Sequence, residues 1–175
     1  MHMNETKNDN RSNEYRNTEN TRSKKIVYVD MDNVLVDFPY GIECLSEEDK
    51  IKYSGHYDDC PNIFSLMRPM PGAIESFHIL SEHFDTYILS TSPWDNPSAW
   101  THKLEWVQKY LGATPDGPAY KRLILSHHKN LNKGDFLIDD RTANGADRFE
   151  GEHIHFGTEK FPDWKSVIDY LMQFK

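Results

Sequence analysis

The sequence has little cysteine and no long apolar run. Its 175 residues include two cysteines, Cys44 and Cys60, and one distant pair fits neither a CxxC metal or redox motif nor a secreted disulfide scaffold. We expect both to be reduced thiols. No apolar segment approaches the length that crosses a bilayer, and the N-terminus lacks the apolar core of a signal peptide. These absences favour a soluble, cytoplasmic protein without a membrane partner.

The sequence also lacks an excess of positive charge. Its 20 lysines and arginines face 28 acidic residues, which gives a formal net charge of −8. This balance argues against a broad basic surface for an anionic membrane or for duplex nucleic acid, but it is compatible with a local cationic pocket. We therefore expect no duplex nucleic acid among the partners.

Residues 1–23 contain almost no apolar side chains. They are rich in Asn, Glu, Arg and Ser, and such a segment buries too little apolar surface to offset the entropy lost on ordering. We predict a disordered tail over 1–23, followed by one domain over 24–175. That length suffices for a single core but not for two full-sized domains.

After the tail, short apolar runs alternate with segments of helical periodicity. The runs are not themselves alternating, which is typical of strands buried on both faces of a parallel sheet. They read "KIVYVD", "DTYILST", "KRLILS", "DFLIDD" and "EHIHFG". The succession predicts an α/β fold with a doubly wound, Rossmann-like parallel sheet.

Three helices are predicted between or after these strands. Pro71 and Gly72 open the first, "PGAIESFHILSEHF", and Gly112 ends the second, "NPSAWTHKLEWVQKYLG". The third is the C-terminal "PDWKSVIDYLMQF". In the second helix, Leu104, Val107 and Leu111 recur at helical spacing and are expected to face the core.

Residues 34–70 do not fit the alternation of strands and helices. The segment is unusually long for a crossover and contains the acidic run "SEEDK" followed by several aromatic residues. We interpret it as a small cap inserted after the first strand, over the carboxyl edge of the sheet. Open α/β sheets bind their ligands at that edge.

Polar side chains stand at or after the ends of four predicted strands. They are Asp30 and Asp32, then Thr91 and Ser92, then Lys129, and finally Asp139 and Asp140. Parallel strands end at the same edge, so these groups should converge. Clustered carboxylates need a counter-charge, and Mg²⁺ held by carboxylates and a backbone carbonyl supplies it. The lysine and the threonine hydroxyl would then bind the oxygens of a phosphate.

Lys129 and Lys133 compete for the role of the cationic residue. Lys133 stands just before the fourth strand, and about six residues at ~3.3 Å each would separate it from that strand's far end. Lys129 follows the third strand, "LILSHH", and so begins at the carboxyl edge. We favour Lys129.

The motifs taken together are similar to those of a known superfamily. "DMDNV", "LSTS", a lysine and "LIDD", in this order, resemble the haloacid dehalogenase (HAD) superfamily of phosphatases. Within it, "VDMDNVLVDF", "PMPGAIESF", "ILSTSPW" and "FLIDDR" resemble the 5'(3')-deoxyribonucleotidase family. The resemblance covers residues 25 to about 145. It departs at Asn33, where the family usually has Gly, but Asn tolerates the left-handed backbone that such a turn requires.

The resemblance implies a Mg²⁺-dependent phosphomonoesterase that acts on a deoxyribonucleoside monophosphate. Asp30 would be the nucleophile that forms an aspartyl-phosphate, and Asp32 would be the general acid and base. Phe38 matches an aromatic residue of the base pocket and would stack on a nucleobase; packing within the cap is the competing interpretation.

The remaining implied roles concern the phosphate and the metal. Thr91, Ser92 and Lys129 would bind the transferring phosphoryl group. The implied metal set is Asp30, Asp32, Asp139 and Asp140. Which member of the terminal acidic pair binds the metal directly is left open.

Other residues of the region receive structural interpretations. His127 and His128 fit no metal spacing and are read as loop residues beside the site. Trp94, Trp100 and Trp106 flank or belong to a helix and are expected to be core or cap contacts.

Two alternative functions stay open at this point, and a third is disfavoured. The protein could be a phosphatase for another small phosphate ester or for a nucleic-acid end. It could be a catalytically silent nucleotide-binding module, although no member of the expected catalytic set is absent. A receiver domain of a response regulator is disfavoured, because it needs an aspartate after the third strand and "LILSHHK" offers none.

Overall fold

A computed structural model describes residues 23–175, and all but the last residue of the predicted tail over 1–23 lies outside the described residues. The fold is built on one five-stranded sheet in which every neighbouring pair is parallel. Its strands are β1 (Ile26–Val29), β2 (Asp85–Ser90), β3 (Leu123–Leu125), β4 (Phe136–Asp139) and β5 (Glu152–His155), in the spatial order β3-β2-β1-β4-β5. The predicted α/β parallel fold is confirmed.

The central strands are apolar because both faces of the sheet are covered. Val27 and Val29 of β1 are fully buried, and all four residues of β4 are buried. In the register of the sheet Val29 pairs with Ile88 on one side and Ile138 on the other. This register aligns the ends of β1, β2 and β4, so the residues after these strands emerge at one edge.

Within residues 23–175, five α-helices accompany the sheet. They are α1 (Phe38–Glu43), α2 (Glu47–Lys52), α3 (Ala73–His83), α4 (Pro97–Leu111) and α5 (Trp164–Leu171). Gly72 precedes α3 with a φ of 76°, a left-handed conformation that glycine adopts without strain. The prediction for α4 needs one correction: Val107 and Leu111 are buried, but Leu104 is 46% exposed because it lies on the outer flank of the helix.

The segment between β1 and α3 packs against α4. It contains α1, α2 and two short 3-10 turns, Tyr57–Asp59 and Ile63–Ser65. Asn96, just before α4, donates its side-chain N–H groups to the carbonyls of Asp58 and Cys60 at 2.8 and 2.9 Å. These contacts hold the segment beside the carboxyl edge of the sheet, where the cap is predicted.

In the described part of the chain, no helix combines the length and the apolar character needed to cross a bilayer.

Candidate active site

The site begins with the backbone that follows β1. The N–H of Asp30 donates to the carbonyl of Ile138 at 2.9 Å and extends the β1–β4 ladder by one residue. This bond brings Asp30 beside Asp139, the last residue of β4. The chain then turns sharply, with the N–H groups of Leu35 and Val36 both 2.8 Å from the carbonyl of Met31. The carboxylates are therefore positioned by main-chain pairing.

Asn33 occupies the left-handed position of this turn. Its φ is 57°, as the sequence predicts for a residue that replaces glycine. The asparagine also makes a contact that glycine has no atoms to make, because its Nδ2 donates to Oδ2 of Asp140 at 2.9 Å. The turn after β1 is thereby linked to the end of β4.

Three of the predicted metal-binding carboxylates come together. Asp30, Asp139 and Asp140 each offer one oxygen, and the three oxygens lie within 4.8 Å of one another. The carboxylate of Asp32 lies outside this group and contacts a lysine instead. The side chains expected at one site therefore separate into a cluster of three and a single acid beside it.

Lys129 lies against the cluster. It belongs to a 3-10 turn, Lys129–Leu131, that follows β3, and its side chain is 3% exposed. Its Nζ is 3.1 Å from Oδ1 of Asp30 and 2.5 Å from Oδ2 of Asp139. Lys133, the competing candidate, is exposed, and its carbonyl accepts a hydrogen bond from the hydroxyl of Tyr28.

A second buried lysine, which the sequence analysis did not single out, contacts Asp32. Nζ of Lys103 on α4 lies 3.0 Å from both carboxylate oxygens of Asp32. The same ammonium donates to Oγ of Ser90 at 2.9 Å and to the carbonyl of Thr91 at 2.8 Å. The sequence could have indicated that Lys103 is buried, because helical spacing places it on the same face of α4 as Ala99, Trp106 and Val107.

Burial and mutual repulsion shift the pKa values of the acids in the site. Burial, together with the Asp30 carboxylate, raises the pKa of Asp139 to about 7 against the opposing attraction of Lys129. Burial would raise the pKa of Asp30 too, but Lys129 and Lys103 hold it below its ordinary value. The pKa of Asp32 is raised by burial, which Lys103 offsets only in part. Asp30 is thus the acid most strongly held as the anion.

The two acids at the end of β4, Asp139 and Asp140, differ in how many of their carboxylate oxygens accept hydrogen bonds. Oδ1 of Asp139 accepts the N–H of Arg141 at 3.0 Å, and Oδ2 accepts from Lys129. Asp140 has Oδ2 bonded to Asn33, whereas its buried Oδ1 has no hydrogen-bond partner within residues 23–175. The nearest cation to this oxygen in the described chain is the exposed guanidinium of Arg141, whose Nε is 3.8 Å away. A buried carboxylate oxygen without a hydrogen bond, beside two further acids, fits a hard divalent cation.

The hydroxyl groups of Thr91 and Ser92, which follow β2, differ in their hydrogen bonding. Oγ1 of Thr91 donates to the carbonyl of Ser126 at 2.9 Å, which leaves the oxygen free to accept. Oγ of Ser92 is fully buried and, in the part of the chain that the structure describes, has no hydrogen-bond partner. Ser92 therefore has an unused donor and an unused acceptor beside Thr91.

Aromatic side chains lie on the two sides of the site. Phe38, at the start of α1, is half-buried and meets Phe64 edge-on with ring centroids 5.9 Å apart. Trp106 is buried as expected, but the expectation is wrong for Trp94, which is 78% exposed because the loop after β2 carries it outward. Its ring is 6.0 Å from His127.

Comparison with solved structures defines the class of the fold. The chain matches the HAD-hydrolase YfnB of Bacillus subtilis, solved with bound magnesium, with a TM-score of 0.55. The match covers 86% of this chain and 99% of that chain at 11% sequence identity, so it speaks for the fold alone. Together, the parallel sheet and this match assign the chain to the HAD-like α/β fold.

Comparison with sequences specifies the family. The family model described as "5' nucleotidase, deoxy (Pyrimidine), cytosolic type C protein" matches residues 41–161. A protein of Vibrio phage KVP40, named on prediction as a 5'(3')-deoxyribonucleotidase, is 64% identical over 148 residues, 85% of each chain. A protein of Bordetella bronchiseptica with the same name is 30% identical over 155 residues, 74% of this chain and 81% of that one. The chain belongs to the 5'(3')-deoxyribonucleotidase family of the HAD superfamily and is a phosphomonoesterase of the 5'-nucleotidase type, which confirms the resemblance.

The positive φ of Asn33 leads to a prediction about stability. Asn33→Gly and Asn33→Ala both lose the hydrogen bond to Asp140, but only alanine also carries the strain of a left-handed backbone, about 1 kcal/mol. We expect a lower free energy of unfolding for Asn33→Ala than for Asn33→Gly when both are measured by chemical denaturation. An alanine variant as stable as the glycine variant would contradict the assigned turn geometry.

Proposed function

We propose that the enzyme hydrolyses deoxyribonucleoside monophosphates to nucleoside and phosphate, with Mg²⁺ as cofactor and an aspartyl-phosphate as intermediate. The observation that carries the proposal is the contact of one lysine, Lys129, with both Asp30 and Asp139 inside a cluster of three acids. The names of the phage and bacterial relatives support the nucleotide as the substrate.

Asp30 is the proposed nucleophile. One of its oxygens forms a bond to phosphorus while the bond from phosphorus to the leaving oxygen breaks. Its low pKa keeps the carboxylate ionised, as a nucleophile requires. Asp32 gives a proton to the leaving oxygen and later takes one from the water that hydrolyses the acyl phosphate. This second half of the reaction restores Asp30.

Lys129, Thr91 and Ser92 are proposed to bind the phosphoryl group. The lysine brings positive charge to oxygens that gain negative charge in the transition state. Ser92 supports the proposal through its buried, unpaired hydroxyl, since a phosphate oxygen would give that group the partner it lacks. Thr91 donates its hydroxyl hydrogen to the carbonyl of Ser126 and would redirect that hydrogen to a phosphate oxygen when the substrate binds.

The metal is proposed to bind Asp30 and Asp140 directly. Among the described residues, Oδ1 of Asp140 accepts no hydrogen bond, whereas both oxygens of Asp139 already accept one. Asp139 then serves mainly to hold Lys129. Asp32 was also predicted as a ligand, but its carboxylate is engaged by Lys103, so we assign it to proton transfer. Bound Mg²⁺ would neutralise the acids and polarise the phosphoryl group.

Residues 34–70 are proposed to be the cap that selects the leaving group, and Phe38 to stack on the nucleobase. The half-buried ring of Phe38 has one side against Phe64 and retains exposed surface. We also propose that the enzyme acts in the cytoplasm, where Cys44 and Cys60 would remain the free thiols that the structure contains.

A substrate panel tests the proposed function. Phosphate release should be measured with deoxynucleoside, ribonucleoside and sugar monophosphates, using wild type and Asp30→Asn. We expect wild type to hydrolyse deoxynucleotides and the nearly isosteric variant to retain its fold but lose turnover, because an amide is a poor nucleophile. A variant with near-normal activity would contradict covalent catalysis. A wild type that favours another phosphate ester would support the second candidate, a HAD phosphatase of other specificity.

The assignment of the metal ligands gives a second prediction. Asp140→Asn should weaken Mg²⁺ binding at least about tenfold, and more than Asp139→Asn does, because it removes the charge of a direct ligand. Isothermal titration calorimetry with Mg²⁺ and substrate-free enzyme measures this difference. Excess chelator should also abolish turnover of every substrate. Undiminished turnover in chelator, or the reverse order of the two variants, would contradict the assignment.

The role of Phe38 gives a third prediction. Stacking on a base contributes about 1–3 kcal/mol, so dTMP should exceed a sugar phosphate in kcat/KM by roughly five- to 150-fold. Phe38→Ala should remove most of that margin and spare p-nitrophenyl phosphate, whose phosphate meets the unchanged site. Equal rates for wild type on dTMP and the sugar phosphate would leave the phosphatase assignment standing and remove the nucleotide specificity.

A further inference from the structure

We propose that Lys103 is a positioning residue for the proton-transfer step: its ammonium group fixes the carboxyl group of Asp32 and keeps it apart from the acids that would bind the metal. The inference rests on the proposed function and deepens it. It starts from the side-on contact, in which Nζ is 3.0 Å from each oxygen of Asp32.

The donors of Lys103 are fully used within the protein. An ammonium group has three N–H bonds, and its acceptors are the carboxylate of Asp32, the hydroxyl of Ser90 and the carbonyl of Thr91. Its side chain is 0% exposed. Lys103 therefore has no donor left for a phosphate oxygen and acts through Asp32.

Burying the ammonium group of Lys103 costs free energy, so a role in packing alone does not explain a lysine at this position. A buried ammonium loses its hydration, and an apolar residue at the same position of α4 would avoid that loss. The aromatic face of Phe64 lies 4.8 Å from Nζ on the side of the cap. The lysine is thus enclosed between the cap and Asp32, and the contact with the acid satisfies its charge.

The two lysines contact different members of the acidic group, three of the four acids in all. Lys129 contacts Asp30 and Asp139 within the cluster of three, whereas Lys103 draws Asp32 out of that cluster. When the bond between phosphorus and the leaving oxygen breaks, the electron pair goes to that oxygen, which takes the proton of Asp32. In the next half-reaction Asp32 receives a proton from the attacking water. Lys103 transfers no proton in either step.

A positioning role for the general acid should depend on the leaving group. A nucleoside alkoxide is strongly basic and needs a proton as it departs, whereas p-nitrophenolate departs without one. The experiment compares kcat/KM, which covers the steps up to release of the first product, for dTMP and for p-nitrophenyl phosphate. Lys103→Met is the test variant, and Lys109→Met, an exposed lysine of the same helix, is the control.

We expect Lys103→Met to lower kcat/KM about tenfold to 1000-fold on dTMP and less than about tenfold on p-nitrophenyl phosphate, since general acid catalysis contributes typically 10²–10⁴-fold. Lys109→Met should match wild type on both. Equal losses on the two substrates would overturn the proposal and indicate a role in folding or phosphate binding. Unchanged rates on both would also overturn it.

Two further variants keep the test decisive if Lys103→Met does not fold. Lys103→Arg preserves the charge and should recover part of the dTMP activity. Ser90→Ala removes one acceptor of Lys103 without touching Asp32 and should cause a smaller loss, again confined to dTMP. A loss that is equal on both substrates in these variants would overturn the proposal.

A double-mutant cycle tests whether Lys103 acts through Asp32. In an Asp32→Asn background, the substitution Lys103→Met should lower kcat/KM on dTMP much less than it does in wild type. Additive losses would overturn the proposal. The wild-type rates distinguish failure of this proposal from failure of the proposed function. If wild type is inactive on both substrates, the proposed function is contradicted. If wild type is active but the Lys103 variant loses activity equally on both substrates, only the role of Lys103 is contradicted.

Discussion

The crowding of four carboxylates, three of them buried, at one edge of the sheet is the constraint on which the site depends. Parallel strands β1 and β4 end side by side, so Asp30, Asp32, Asp139 and Asp140 arise from the same place. Among residues 23–175, Lys103 and Lys129 contact them with buried positive charge, and the exposed Arg141 lies 3.8 Å from Asp140, so the buried lysines alone leave two negative charges in excess if all four acids ionise. Burial, to which the repulsion of Asp30 adds, raises the pKa of Asp139 to about 7. A divalent cation would offset the excess negative charge, and this balance supports the proposed cofactor.

The same constraint couples the cap to the chemistry. Phe38 packs on Phe64, the face of Phe64 lies beside the ammonium of Lys103, and Lys103 holds Asp32. The segment that bears these aromatic rings is itself bonded to the start of α4 through Asn96. In our account, the residue proposed to meet the base and the residue proposed to transfer the proton are thus three contacts apart. This arrangement offers a physical route by which the leaving group influences proton transfer.

Sequence patterns predicted the sheet and the convergence at its edge because both follow from backbone rules. Burial on two faces gives continuous apolar strands, and parallel strands bring their carboxyl ends together. Lys129 could be chosen over Lys133 by counting residues along a strand. The role of Lys103 was not predicted, because its partner Asp32 is 71 residues away in the sequence and only tertiary packing brings the two side chains into contact. Trp94 was misjudged for a related reason, since composition does not reveal which way a loop carries a large side chain.

The central claim, that Asp30 becomes phosphorylated, can be tested by trapping the intermediate. In Asp32→Asn the base for the second half-reaction is gone, whereas p-nitrophenyl phosphate still permits the first half, because its leaving group needs no proton. Rapid acid quench followed by mass spectrometry of the peptides should find one phosphoryl group per chain, located on Asp30, together with a burst of p-nitrophenolate. Steady release of p-nitrophenolate without a phosphorylated peptide, or a phosphoryl group on another residue, would contradict the account.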